Sequence, residues 1–143
     1  MTEEPSTGPS ILYQVKRLEL VVRARLDEAL RGSGVTTLQY TALTVLAREH
    51  GVTAAALARN SFVTPQSMAD MLKPLERRGL IRREPNPNSG REVLVYLSDA
   101  GREFLIDHEA RVSELARQMV ADLSPAEIAT FRSALHRAWE ALR

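Results

Sequence analysis

Residues 82–97 read RREPNPNSGREVLVYL. Two arginines lead into a tip of Pro, Asn, Ser and Gly, and a third, Arg91, leads out of it. Val93, Val95 and Leu97 then alternate with Leu94 and Tyr96, the period of a strand. LIRRE at 80–84 is its antiparallel partner, so the stretch predicts a β-hairpin with a polar tip. Whether the hairpin is a plain surface loop or holds something anionic depends on what flanks it.

On the N-terminal side the period becomes helical. Thr53 is the N-cap of a short helix over 54–59, and NSFV at 60–63 breaks it. Thr64-Pro65 opens the next helix, because threonine caps and a proline at the first helical position has no N–H to waste. Met68, Met71, Leu72 and Leu75 form its apolar face, and Gly79 ends it. Pro74 removes the hydrogen bond to the Asp70 carbonyl, so a kink or local loosening is expected there. Two helices joined by a tight turn and followed by a hairpin make a winged helix-turn-helix.

That arrangement suits DNA. A free helix N-terminus carrying small polar side chains can enter a major groove and reach base edges. Here those side chains are Thr64, Pro65, Gln66, Ser67, Ala69 and Asp70, with Lys73 and Arg77 further along where phosphates run. Gln66 has the chemistry for a bidentate contact to adenine. Asp70 can accept from a cytosine N4 or pair with Lys73 or Arg77, and the ion pair is the favoured reading. Thr53, Asn88, Ser89 and Arg91 complete the candidate contacts from the other helix start and the hairpin.

Further out, Ile11, Val15, Leu18, Val22, Leu26 and Leu30 recur at three- and four-residue steps, predicting a helix of about twenty residues. Another is expected over 37–49, with Leu38, Ala42, Leu43 and Leu46 toward a core. Ser98 caps a long helix carrying Phe104, Leu105, Val112, Leu115, Met119 and Val120. LSPAE at 123–127 holds a capping box, Ser124 with Glu127, ahead of a last helix bearing Ile128, Phe131, Leu135, Trp139 and Leu142. The fold class is therefore mainly α with a β wing.

Composition bounds the rest. The 143 residues carry a net charge of +1, so overall charge predicts no anionic partner. Charge distribution is more informative. Between 73 and 91 six basic residues stand against two acidic ones, a local +4 that leaves −3 elsewhere. There is no cysteine, hence no disulfide and no thiol switch. No run approaches the roughly 20 apolar residues that span a bilayer. The polar, acidic N-terminus lacks signal-peptide character, so a cytoplasmic location is expected. His50, His108 and His136 lie apart, and no phosphate loop or nucleophile elbow is present. No catalytic residue, metal or cofactor is expected.

From Leu38 to Gly101 the chain resembles the MarR (multiple-antibiotic-resistance regulator) family of winged-helix transcriptional regulators. The resemblance rests on LERRGLIRRE at 75–84 and SGREVLVYLSDAG at 89–101. Arg91, Leu97, Ser98 and Gly101 match the family's wing pattern, whereas Ser89 stands where an aspartate usually braces the wing arginine. A tip without its brace, and mobile when no DNA is bound, is the expectation.

The resemblance implies a homodimer in which the N-terminal and last two helices interlock, with Ile11, Val15, Phe131, Leu135 and Trp139 at the interface. It also implies a small, often aromatic, acid in a pocket between the dimer and DNA-binding parts, where Tyr13, Arg17, Tyr40 and Arg48 are candidates. The expected organisation is a disordered tail over 1–9, dimerisation helices over 10–35 and 98–143, and a DNA-binding region over 36–97. The expected function is a dimeric repressor of double-stranded, pseudo-palindromic DNA that answers to an effector. A winged-helix module that binds protein instead is the alternative.

Overall fold

Thr64 opens the helix at the centre of the molecule. Its hydroxyl accepts from the Ser67 N–H at 3.1 Å, and Pro65 occupies the first turn. The computed structural model describes residues 8–143. Residues 1–7 of the expected tail lie outside the described residues, and Gly8 and Pro9 are exposed ahead of the first helix.

The elements run α1 (Ile11–Ala29), α2 (Thr37–Arg48), β1 (Val52–Thr53), α3 (Ala54–Asn60), α4 (Pro65–Arg77), β2 (Ile81–Pro85), β3 (Val93–Leu97), α5 (Asp99–Met119) and α6 (Pro125–Leu142). The three strands form one antiparallel sheet in the order β1-β3-β2. Ile81 pairs with Leu97 and Pro85 with Val93, so the hairpin is in register along both arms. β1 was not expected. It is two residues long, too short for a hydrophobic period to show. Gly51 delivers it at φ +80, and a side chain at that position would strike the Tyr96 ring at 2.9 Å.

The core lies between α2, α3, α4, the sheet and the start of α5. Ala42, Leu43, Leu46, Leu57, Met68, Leu72, Leu75, Val95 and Phe104 are all buried there. Full burial of one such leucine stabilises by roughly 1.5–3 kcal/mol. Leu38 was expected inward but is exposed; Gln39 and Tyr40 are buried instead. The cause is the capping box: the Thr36 hydroxyl accepts from Gln39 N–H while the Gln39 side chain accepts from Thr36 N–H. That locks Gln39 toward the interior, where its amide also donates to the Met71 carbonyl at 3.3 Å.

α4 stays helical through Pro74 to Arg77. At the far end of the hairpin, the Ser98 hydroxyl accepts from Gly101 N–H and donates to the Gly79 carbonyl, tying the end of α4 to the start of α5. α1 and α6 are different: neither contains a buried residue. Ile11, Leu12, Val15, Val21, Leu135, Trp139 and Leu142 lie exposed on them. Among the described residues, no helix is long and apolar enough to cross a membrane.

Candidate nucleic-acid interface

The two faces of α4 divide the labour. Met68, Leu72 and Leu75 are buried, and the opposite face exposes Gln66, Ala69, Asp70, Lys73 and Arg77 in steps of one helical turn. Because the inner face is packed in the core, the outer row is fixed in orientation, and its side chains are exposed and form no side-chain hydrogen bond or ion pair among the described residues. Thr64 and Ser67, also exposed, are joined hydroxyl to hydroxyl at 3.0 Å and serve the cap. Pro65 starts the helix beside them. Thr53 is likewise engaged: its hydroxyl caps α3 by accepting from Ala56 N–H at 3.2 Å, and its backbone pairs in β1.

Asp70 departs from the expected ion pair. It forms none with Lys73 or Arg77 among the described residues, and its side chain is exposed. An exposed pair on a helix contributes at most about 1 kcal/mol and costs side-chain freedom, which leaves the pairing optional.

The wing's arginines sort into two sets. Arg83 pairs with Glu76 at 3.1 Å, and Arg82 pairs with Glu84 at 3.0 Å while lying 4.6 Å from the centre of the Tyr96 ring. The two carboxylates of the 73–91 window thus engage Arg82 and Arg83. Lys73, Arg77 and Arg91 have no carboxylate partner among the described residues. Arg78, the C-cap of α4, has none either and lies 5.9 Å from the centre of the Phe104 ring, so the unpaired positive charge is Lys73 and Arg77 on α4, Arg78 at its end and Arg91 at the wing.

The wing tip carries hydrogen bonds of its own. The Asn86 side-chain oxygen accepts from Asn88 N–H at 3.0 Å, and its amide donates to the Glu92 carboxylate at 3.1 Å. The Asn86 backbone N–H donates to the Glu92 carbonyl at 2.9 Å, and its carbonyl accepts from Ser89 N–H at 3.1 Å. The carboxylate brace on Arg91 is absent among the described residues, as Ser89 in place of aspartate leads one to expect, and the loop backbone is held instead through Asn86 and Glu92. The sequence signal was Asn-Pro-Asn-Ser, with Asn at the first and Pro at the second position of a turn.

The four effector candidates do not come together. Tyr13 and Arg17 sit on the exposed start of α1, the guanidinium 5.8 Å from the ring centre. Arg48 is exposed at the last turn of α2. Tyr40 is part of the core, where burial and then the nearby Glu109 charge hold its phenol above its ordinary value. A groove of roughly 430 Å³ instead runs between α1, α2 and the α3–α4 turn, lined by Arg23, Asp27, Thr37, Thr41, Ser61 and Phe62 among others. Asp27 accepts from the Thr37 hydroxyl there. Ser61 is fully buried with its hydroxyl unpartnered, while Phe62 is 77% exposed at φ +61. A phenylalanine in the left-handed region is strained. Nothing in NSFV announced this, because strain of that kind has no periodicity.

The dimer candidates do converge. Ile11 and Val15 of α1 and Phe131 and Leu135 of α6 line one open, apolar groove with Leu18 and Val21. Trp139 lies one turn on, half exposed, with the Arg143 guanidinium 5.1 Å from its ring. No cluster of three or more metal-ligating side chains exists among the described residues. His108 stacks on Phe104 at 4.1 Å.

Comparison with known proteins agrees with this geometry. A family model described as the MarR family matches residues 33–92. An HTH-type transcriptional repressor of Mycobacterium tuberculosis is 30% identical over 125 residues, covering 87% of this chain and 90% of that protein. Among solved structures, the S. aureus MepR–DNA complex superposes with TM-score 0.84 at 20% identity, covering 94% of this chain and 100% of that one. NadR in complex with 4-hydroxyphenylacetate gives 0.81 at 19%, covering 96% and 97%. The chain belongs to the MarR family of winged helix-turn-helix transcriptional regulators.

Proposed function

We propose that the chain is a homodimeric, cytoplasmic repressor of double-stranded DNA whose affinity is set by a small effector. The observation that carries the reading is the outer row of α4: Gln66, Ala69, Asp70, Lys73 and Arg77 exposed on a helix whose other face is core. Such a row enters a major groove as one rigid unit, with Gln66 toward a base edge and Lys73 and Arg77 toward phosphates. Arg91 of the wing approaches the neighbouring minor groove, where a narrow groove favours arginine. The structural likeness to MepR, solved as a DNA complex, supports DNA as the partner of this fold. The name of the mycobacterial relative supports repression.

The dimer is formed by the exposed apolar faces of α1 and α6, with Ile11, Val15, Phe131, Leu135 and Trp139 at its centre. Residues 10–35 and 98–143 are the dimerisation region and 36–97 the DNA-binding region. The first two turns of α5 join the latter, since Phe104 packs in its core. The effector is a small aromatic acid, and the groove carrying Arg23 and Phe62 receives it. NadR, of similar fold, was solved with such a ligand.

A salt-titrated shift assay on genomic fragments tests the DNA reading. One or more fragments bind at low salt and release steeply as salt rises, because phosphate contacts release counterions. Absence of binding at low salt overturns it. Adding 4-hydroxyphenylacetate tests the groove. Wild type releases DNA, and Arg23→Ala binds DNA without responding; an unaltered response in that variant removes the groove from consideration.

A further inference from the structure

We propose that Asn86 is the positioning residue of the wing, acting on DNA through Arg91. Every hydrogen-bonding group of Asn86 is engaged within the tip: N–H and side-chain amide toward Glu92, carbonyl toward Ser89, side-chain oxygen toward Asn88. Its neighbours Pro85 and Pro87 fix their own φ and narrow the choices of the residue before each. The result is a loop over 86–92 clamped at its two ends by a backbone and a side-chain hydrogen bond.

Arg91 is the last residue before the clamp closes. It is exposed and has no carboxylate partner among the described residues. The Glu92 carboxylate is the nearest negative charge in sequence. The Asn86 amide holds it at 3.1 Å, which gives it an established partner other than Arg91. The clamp therefore does two things at once. It orders the backbone that carries the guanidinium, so that less freedom is lost on binding, and it leaves the guanidinium free for phosphate or groove. Gly90 and Ser89, which bring no such order of their own, tolerate this because the order comes from the other side of the loop.

The proposal rests on the DNA-binding reading, and wild-type binding to a specific fragment is measured first so that the two fail separately. Asn86→Ala loses two side-chain hydrogen bonds and lowers affinity by about three- to tenfold. In an Arg91→Ala background the same substitution changes affinity by less than about twofold, because the residue it positions is gone. The reciprocal pair Asn86→Asp with Glu92→Gln keeps an acceptor for Asn88 N–H, reverses the donor and acceptor across the clamp and keeps the net charge. It restores most of the affinity, whereas Asn86→Asp alone, which sets two carboxylates against each other, does not. Thermal midpoints stay within error throughout, since the tip is remote from the core. Wild-type affinity in Asn86→Ala, full additivity with Arg91→Ala, or failure of the reciprocal pair to recover overturns the proposal.

Discussion

Gly101 shows how much one missing side chain can decide. A Cβ there would stand 2.2 Å from the Leu80 carbonyl oxygen and 2.5 Å from a Leu97 methyl group. The start of α5 can pack against the hairpin only because that atom is absent. Gly101→Ala is therefore expected to destabilise by at least 1–3 kcal/mol, roughly the cost of overpacking, measured by chemical denaturation. A loss below about 0.5 kcal/mol would contradict the close approach. Gln66 is decisive in the opposite sense, exposed and without a side-chain hydrogen bond among the described residues. Gln66→Ala should leave the denaturation midpoint unchanged and relax base preference at one position by roughly 1–3 kcal/mol in a selection experiment. An unaltered consensus would count against its contact with a base edge.

At the scale of elements, the caps organise the chain. Ser10, Thr36, Thr53, Thr64, Ser98 and Ser124 each accept from a backbone N–H three residues on. Most of these starts were legible, because Ser/Thr ahead of an apolar period is a local signal with a local cause. Leu38 was misread because a capping box at Thr36 and Gln39 rotates the inward face by one residue, which apolar spacing alone does not reveal. β1 and the left-handed Phe62 were missed because each depends on chain brought in from elsewhere or on a conformation without periodicity, whereas the Asn86 clamp had a local turn signal in Asn-Pro-Asn-Ser that apolar spacing passes over. Among the effector candidates, Tyr40 is part of the core and Tyr13 is exposed on α1, a difference set by tertiary packing that apolar spacing does not carry. The α6 cap gives a pH test. Glu127 accepts from Ser124, whose backbone N–H and then side chain hold the carboxyl below its ordinary value. Its folded-state pKa is lowered, so its stabilisation is complete above the ordinary carboxylate range and fades as pH falls through the lowered value. The stability gap between wild type and Glu127→Gln should accordingly be constant at neutral pH and change only in acid. A gap that varies between pH 6 and 8 would contradict this. Ser124→Ala should cost about 1 kcal/mol at any neutral pH.

At the scale of the molecule, the division is between a sealed core and two open helices. α2, α3, α4 and the sheet bury their apolar faces, whereas α1 and α6 leave theirs to solvent in the single chain. A pair of unpartnered stripes that long resembles a core cut in half. Sedimentation should therefore give a particle near twice the 15.9 kDa chain mass. Leu135→Glu with Trp139→Glu should give a folded monomer with weak DNA binding, since each half-site loses its tethered neighbour. Tight DNA binding by such a monomer would separate dimerisation from function. Two-fold symmetry then fixes the shape of the operator: two inverted half-sites, centres about 10 bp apart or a multiple of that.

If the outer face of α4 and the wing of each subunit read DNA together, footprinting of the dimer on its highest-affinity genomic fragment shows a protected pseudo-palindrome with half-sites one helical turn apart, lost steeply as salt rises. Protection without two-fold symmetry, or none at low salt, would contradict it.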